Sequence, residues 1–285
     1  MSGAVRALTF CAAVVLTGGG ALSPAAVAAP SSPTEGIFSA NCAFSHIAQD
    51  DPIVFPGEDG ASHMHAFAGS RGIDENSTPD NIRGHGTTCD RPADESAYWT
   101  PTLVKDGAYR EPTTAFAYYR TGGIGDPASI RPMPQRLVMI AGDGRATSPQ
   151  GTRVTAWSCA TSGAAGANRE KMPRRCGDDP LRLLVRFPNC WDGVNLDSRD
   201  HKSHVAYSWS DRTPNTCPTS HPVPIPKLQV VFRWSMPNSS SAELSSGGEY
   251  SAHMDFMNGW DPAKMRSLTE QCLNVPQKCG TVGGD

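Results

Sequence analysis

Apolar residues along this chain come in short runs broken by Gly, Pro, Asn and Asp. Several runs alternate with polar residues at period two, the pattern of a strand with one buried face. Strands are expected at 98–104 (YWTPTLV), closed by an Asp106-Gly107 hairpin turn, and at 115–120 (AFAYYR), its return strand or neighbour. Others are expected at 136–141 (RLVMIA), 153–159 (RVTAWSC), 181–187 (LRLLVRF), 227–234 (KLQVVFRW) and 250–256 (YSAHMDF). A short strand is expected at 51–57 (DPIVFPG), closed by Pro56-Gly57. One helix is marked, with Asp261 as N-cap and Pro262 at the first helical position. Met265, Leu268 and Cys272 form its apolar stripe, and Asn274 and Pro276 end it. Residues 69–92, 162–180 and 238–248 are rich in turn formers and read as loops. With no internal repeat and no dividing linker, the pattern predicts one mainly β domain over 37–285. The expected fold is an antiparallel β-sandwich or jelly-roll-like domain with long disulfide-held loops and a short C-terminal helix.

The N-terminus departs from this pattern. Arg6 is the only charge in the first 30 residues, and an apolar run, Ala7 to Val15, leads to a Gly-rich break and Ala26-Val27-Ala28. This reads as a signal peptide over 1–28, with a loose leader over 29–36. The run is too short to span about 30 Å of hydrocarbon, so the expected location is extracellular, with no membrane association after cleavage. Cleavage removes Cys11 and leaves Cys42, Cys89, Cys159, Cys176, Cys190, Cys217, Cys272 and Cys279. An even number in an exported chain reads as disulfides, and local pairing is the cheapest expectation: 42–89, 159–176, 190–217 and 272–279. No C-x-x-C occurs, which argues against a cysteine zinc site. The net charge of -3 supplies no global basic field for nucleic acid.

Candidate chemistry gathers in three segments. Phe187–Tyr207 (FPNCWDGVNLDSRDHKSHVAY) carries Trp191, Asp192, Asp197, Asp200, His201 and His204; SHMHAF carries His63 and His65; SAHMDF carries His253 and Asp255. The last two pairs are two residues apart, so in extended backbone each points to one face. The three segments are expected to meet and form one polar site. His63, His65, His201 and His253 are candidate ligands of a divalent metal ion, because neutral imidazole suits zinc, copper, nickel and iron. No H-E-x-x-H is present, and residues 192–197 lack the EF-hand pattern. Without an ion, His201, Asp200, Asp192 and His204 are the candidate catalytic residues for proton transfer. His63, His65, Trp191, Asp197, His253 and Asp255 would then bind substrate, Trp191 by stacking on a sugar ring. The plainer role for these carboxylates is turn building, since Asp192-Gly193 is a turn former and Asp197-Ser198 can cap one. Trp99, Trp209 and Trp260 also lie in or near polar sequence, whereas Trp157 and Trp234 read as core. A nucleophile elbow, a P-loop and a dinucleotide fingerprint are all absent.

The segments DDPIVFPGEDGASHMHAFAG, YWTPTL, FPNCWDGVNLDSRDHKSHVAY, CPTSHPVPIPKL and HMDFMNGWD together resemble one family. It is the secreted bacterial and fungal family catalogued as a domain of unknown function, whose fungal members often carry WSC carbohydrate-binding modules. The resemblance covers about residues 40–275. It implies that the histidine and aspartate motifs belong to one module in an extracellular, polysaccharide-rich setting. It brings no established activity. The resulting expectation is a secreted, monomeric, polysaccharide-active enzyme, a glycoside hydrolase or lyase, with polysaccharide or cell-wall glycan as partner. The alternatives are a non-catalytic glycan-binding protein and a metal-binding secreted protein. Product release, binding without turnover, and metal content separate the three.

Overall fold

The computed structural model describes residues 1, 3, 35–159, 168–209 and 215–280. Apart from residues 1 and 3, the expected signal peptide lies outside the described residues, as do most of the leader and part of the 162–180 loop. All the described strands and helices belong to one compact unit running from Ser32 to Asp285.

The strands are, in chain order, β1 (Ile37–Ala48), β2 (His65–Gly69), β3 (Ala97–Pro101), β4 (Leu103–Lys105), β5 (Ala108–Arg110), β6 (Thr114–Arg120), β7 (Val138–Gly142) and β8 (Thr155–Cys159). They continue as β9 (Leu181–Arg186), β10 (Cys190–Trp191), β11 (Val205–Ala206), β12 (Val223–Pro224), β13 (Lys227–Trp234), β14 (Ala242–Leu244), β15 (His253–Met257) and β16 (Lys278–Cys279). A ten-stranded sheet runs β7-β15-β3-β2-β1-β6-β13-β9-β8, with β16 beside β1. Except for the parallel β1–β16 pair, its ladders are antiparallel. Two three-stranded sheets, β11-β10-β12 and β14-β4-β5, flank it.

β1 organises the fold. Its first half pairs with β6 and its second half with β2, and the register shifts between Phe44 and Ile47. Such an irregularity bends a strand and raises its twist. The sheet folds over along this bend, so the inner faces of its two halves share one core. Tyr98 of β3 and Tyr119 of β6 meet hydroxyl to hydroxyl at 2.7 Å, and Phe187 lies edge-on to Phe256 of β15 at 6.0 Å. Along β13, Leu228, Val230, Phe232 and Trp234 are buried in this core while Lys227, Gln229 and Arg233 take the other face. Each such apolar side chain contributes about 1.5–3 kcal/mol on burial. The result is a mainly β, antiparallel sandwich that closes toward a barrel.

The helix forms as its caps dictate. Asp261 accepts from Lys264 N, and α1 (Pro262–Leu268) continues as a π-helical turn over Thr269–Asn274. The disulfides are Cys42–Cys89, Cys159–Cys176, Cys190–Cys217 and Cys272–Cys279, the local pairing. Two sequence expectations need correction. Residues 51–57 form turns, because Asp51 Oδ1 accepts from Ile53 N and Val54 N and curls the chain. The return strand of the Asp106-Gly107 hairpin is β5, and β6 pairs instead with β1 and β13. Asp106 and Gly107 both have positive φ, 53° and 74°, as a tight hairpin requires.

Candidate functional site: a buried three-imidazole cluster

One half of the sheet, β7-β15-β3-β2, has a second buried face. Strand alternation puts His65 and Phe67 on it from β2, and Trp99 from β3. β7 adds Val138 and Ile140, and β15 adds His253, Asp255 and Met257. In register, Phe67 pairs with Trp99 and Trp99 with Asp255. The apolar members form a small core of their own, covered by Ile53, Ile73 and Ile82 from the long loops. His65 and His253 stand at one end of this face, each at the first residue of its strand.

His63 reaches the same place from the loop before β2. The ring centres lie 4.2 Å apart for His63–His65, 5.1 Å for His63–His253 and 5.8 Å for His65–His253. One nitrogen from each ring lies within 4.8 Å of the others. Two backbone carbonyls fix the tautomers. His65 Nδ1 is 2.9 Å from Asp50 O, and His253 Nδ1 is 2.8 Å from Ser251 O. A carbonyl only accepts, so each Nδ1 carries the proton and each Nε2 keeps its lone pair. His65 Nε2 is buried without a hydrogen-bond partner, and so is His63 Nε2. Burial pushes the His63 and His253 imidazoles down to about 4, and it lowers His65 well below the usual range. All three rings are therefore neutral at pH 7.

Further unsatisfied polar groups adjoin the cluster. Both carboxyl oxygens of Asp255 and the Ser62 Oγ are buried without hydrogen-bond partners, while the Trp99 indole N–H is directed to the Asp51 carboxyl. Asp255 Oδ2 lies 3.9 Å from His253 Nε2. Burial raises the Asp255 carboxyl well above the carboxylate range, and the neighbouring Asp51 adds to this. The Lys202 ammonium opposes both while donating to Gly142 O at 2.6 Å. Gly144 lies against the His253 ring, where an added Cβ would stand 2.9 Å from its nearest carbon. Buried polar groups in native proteins nearly always have partners, so this concentration calls for an explanation such as water or an ion.

The Phe187–Tyr207 segment lies along the edge of the same face. Val138 N donates to Leu196 O and Ile140 N to His201 O, so the loop extends the ladder beyond β7. His204 is buried, with Nε2 against Val138 O at 2.7 Å and Nδ1 against Ser198 Oγ at 2.8 Å. Asp192 accepts from Val194 N, Asn195 N and Asn195 Nδ2. Asp200 accepts from Ser198 Oγ, Lys202 N and Ser203 N, and the Ser203 bonds lead in holding its carboxyl below the usual range. Trp191 is half-buried against the core, its Nε1 donating to Asn195 O at 2.5 Å. Asp192 and Asp200 thus shape the loop in this structure. His201 is paired with Asp197, Nδ1 to Oδ1 at 2.9 Å, which raises its pKa; the nearby Asp51 charge acts in the same direction. His201, Asp197, Ile53, Pro79 and Arg136 line a cavity of about 350 Å³ next to Val138 and Met257.

The structure thus brings His63, His65, His253 and Asp255 together, whereas the His201–Asp197 pair lines the cavity at the other end of these strands, by Val138 and Met257. His201 is not among the three clustered imidazoles. Trp99 and Trp260 are fully buried. Asp51, Lys202 and Gly144 also belong to this neighbourhood. An acid directly before Pro52 is the local signal that could have marked Asp51, whereas nothing local in the sequence marks Gly144 as a ring contact.

Fold and site together define a disulfide-stapled antiparallel β protein with a buried three-imidazole centre. Such bridges fit an oxidising compartment. Among the described residues no helix is long and apolar enough to cross a membrane. Residues 51–260 match the family model described as domain of unknown function DUF1996, and the chain belongs to that family. No curated protein and no solved structure matches it.

Proposed function

We propose that His63, His65 and His253 bind one divalent transition-metal ion, zinc by ligand chemistry, and that the protein is a secreted metal-dependent enzyme acting on polysaccharide. The observation that carries the metal reading is the pair of tautomers fixed by Asp50 O and Ser251 O, which leave Nε2 as the free donor of His65 and His253. Leaving a buried polar group unpaired costs about 1–3 kcal/mol, and a shared ion removes that cost. One nitrogen from each ring lies within 4.8 Å of the others, and zinc takes imidazole nitrogen as a ligand. Zinc held by these three imidazoles would supply an acidified water as nucleophile. Asp255, with both carboxyl oxygens unpartnered and Oδ2 3.9 Å from His253 Nε2, would stand next to the ion's ligands.

The polysaccharide part is supported by the extracellular setting that the family resemblance implies and by the cavity beside His201. In this reading His201, partnered by Asp197, exchanges the proton with substrate. Asp192, Asp200 and His204 position its loop, and Trp191 offers the aromatic surface. The protein should be produced without a polyhistidine tag, with its disulfides oxidised, and analysed by elemental mass spectrometry. About one metal ion per chain is expected, lost in His65→Ala and in the more exposed His63→Ala. Wall polysaccharides should then yield reducing ends or unsaturated sugars, and a chelator should stop the release. A folded protein that takes up no zinc, copper, nickel or iron sinks the metal reading. Metal uptake without product from any glycan leaves a metal-binding protein and sinks the enzymatic part.

A further inference from the structure

The other half of the sheet also has an outer face, and its charge pattern breaks a packing rule. Arg120 of β6 stands directly opposite Lys227 of β13, and Arg186 of β9 stands opposite Gln229. Like charges facing each other across an antiparallel pair are destabilising. Arg120 is answered by Glu35, Nη1 to Oε2 at 2.9 Å. Arg186 Nη1 donates to the Thr152 carbonyl at 2.7 Å, and among the described residues no carboxylate pairs with it. Lys227 Nζ and Arg153 Cζ sit 4.7 Å and 5.4 Å from the centre of the Trp209 ring. Tyr207 stacks on that ring at 4.2 Å and steadies it.

These cations border a cavity of about 400 Å³, with Asn168 and Asn215 at its rim. Among the described residues that line it, none is acidic. Burial lowers the pKa of both Arg186 and Lys227, and their neighbouring cations lower them further. Glu35 answers Arg120 and the Trp209 ring faces Lys227 and Arg153, but among the described residues that line the cavity no carboxylate neutralises the remaining cations. Where a sequence keeps such a conflict only partly compensated, a functional site is expected.

We propose that the cavity bounded by Arg153, Arg186 and Lys227 binds an oxyanion, the carboxylate, sulfate or phosphate of an acidic sugar. Guanidinium groups grip carboxylate and phosphate through paired N–H donors, and an ammonium adds a point charge. The rim amides of Asn168 and Asn215 can donate to sugar hydroxyls or to further oxyanion oxygens. This site lies on the opposite half of the sheet from the histidine cluster, so it is independent of the metal reading.

The test is isothermal titration calorimetry on the full chain at low salt, with and without chelator. The probes are glucuronic acid, glucose 6-phosphate, inorganic phosphate and neutral glucose. The charged probes should bind and glucose should not, and raising salt from about 20 to about 200 mM should weaken binding several-fold. Lys227→Met and Arg153→Ala should each weaken it about tenfold or more, with chelator making no difference. Arg153 lies outside the sheet ladder, so Arg153→Ala carries the test even if Lys227→Met fails to fold. Tighter binding of the sugar acids than of inorganic phosphate identifies an acidic sugar as the source, and equal binding identifies the bare oxyanion. No binding by any charged probe, or unchanged binding in folded Arg153→Ala, overturns the proposal.

Discussion

Replacing Asp94 with asparagine should remove a large part of the pH dependence of stability. Asp94 is fully buried at the end of a directed chain of hydrogen bonds. Trp260 Nε1 can only donate, and it donates to Tyr119 Oη at 2.9 Å. Tyr119 therefore donates onward to Tyr98, and the Tyr98 hydroxyl donates to Asp94 Oδ2 at 2.8 Å. The other carboxyl oxygen accepts from Ser96 N at 3.1 Å. These bonds favour the carboxylate, but burial outweighs them and pushes the Asp94 pKa from 3.8 up to about 6. The folded protein thus holds the proton more tightly than the unfolded chain. The resulting stability is fully present below the unfolded pKa and is lost as pH rises through the folded one. About two pH units at about 1.4 kcal/mol each give roughly 3 kcal/mol lost between pH 4 and pH 7. Asp94→Asn is neutral throughout; its amide nitrogen cannot accept, so one of the bonds from Ser96 N and Tyr98 is lost, a cost that does not vary with pH. Urea unfolding of both proteins at pH 4, 5, 6 and 7 measures the difference. The stability of wild type minus that of the variant should fall by about 3 kcal/mol across the series, most steeply between pH 4 and pH 6. A flat difference, or one rising with pH, refutes the claim that desolvation dominates at Asp94.

Single contacts set three more outcomes. Gly144→Ala should weaken metal binding about tenfold while leaving the unfolding midpoint nearly unchanged, because the new Cβ presses on the His253 ring; a competition titration against a chromogenic chelator reads this. His201→Ala should leave metal stoichiometry intact and abolish any polysaccharide cleavage, since His201 is paired with Asp197 rather than with the three clustered rings; loss of the metal in that variant contradicts the ligand assignment. Removing Cys42–Cys89 by paired serine substitutions should cost about 4 kcal/mol in chemical denaturation, because the bridge closes 47 residues, against about 2.5 kcal/mol for Cys272–Cys279, which closes 7.

How much of the fold was legible depends on the range over which each cause acts. β13 reads directly from KLQVVFRW, because alternation and β-branched content act within the strand itself. Asp261-Pro262 marks the start of α1 for the same reason, since a cap satisfies N–H groups only a turn away. The strand expected at 51–57 fails because an apolar run, Ile53-Val54-Phe55, outweighed the turn signal in Asp51-Pro52. The longest strand, β1, escaped because IFSANCAFSHIA mixes small and polar residues. Its strand character comes from serving β2, β6 and β16 as partners, which no local window contains.

The site divides along the same line. H-x-H and H-x-D can be read as same-face pairs because period two is a property of the strand alone. That His65 and His253 approach each other depends on β3 lying between β2 and β15, a sheet order that spacing does not encode. The Phe187–Tyr207 segment held the densest group of acids and imidazoles, yet density does not separate ligands from scaffolding. Buried polar atoms left without a partner are the more useful guide. Asp192, Asp200 and His204 direct their polar atoms to loop amides, to Ser198 and to Val138 O, and so have little capacity left for a ligand. His63, His65 and Asp255 retain buried atoms with no partner. In a folded chain unsatisfied capacity is costly, and it persists where a bound group offsets the cost. Unpartnered atoms therefore put the proposed centre at the ends of β2 and β15 rather than in the loop richest in chemical groups.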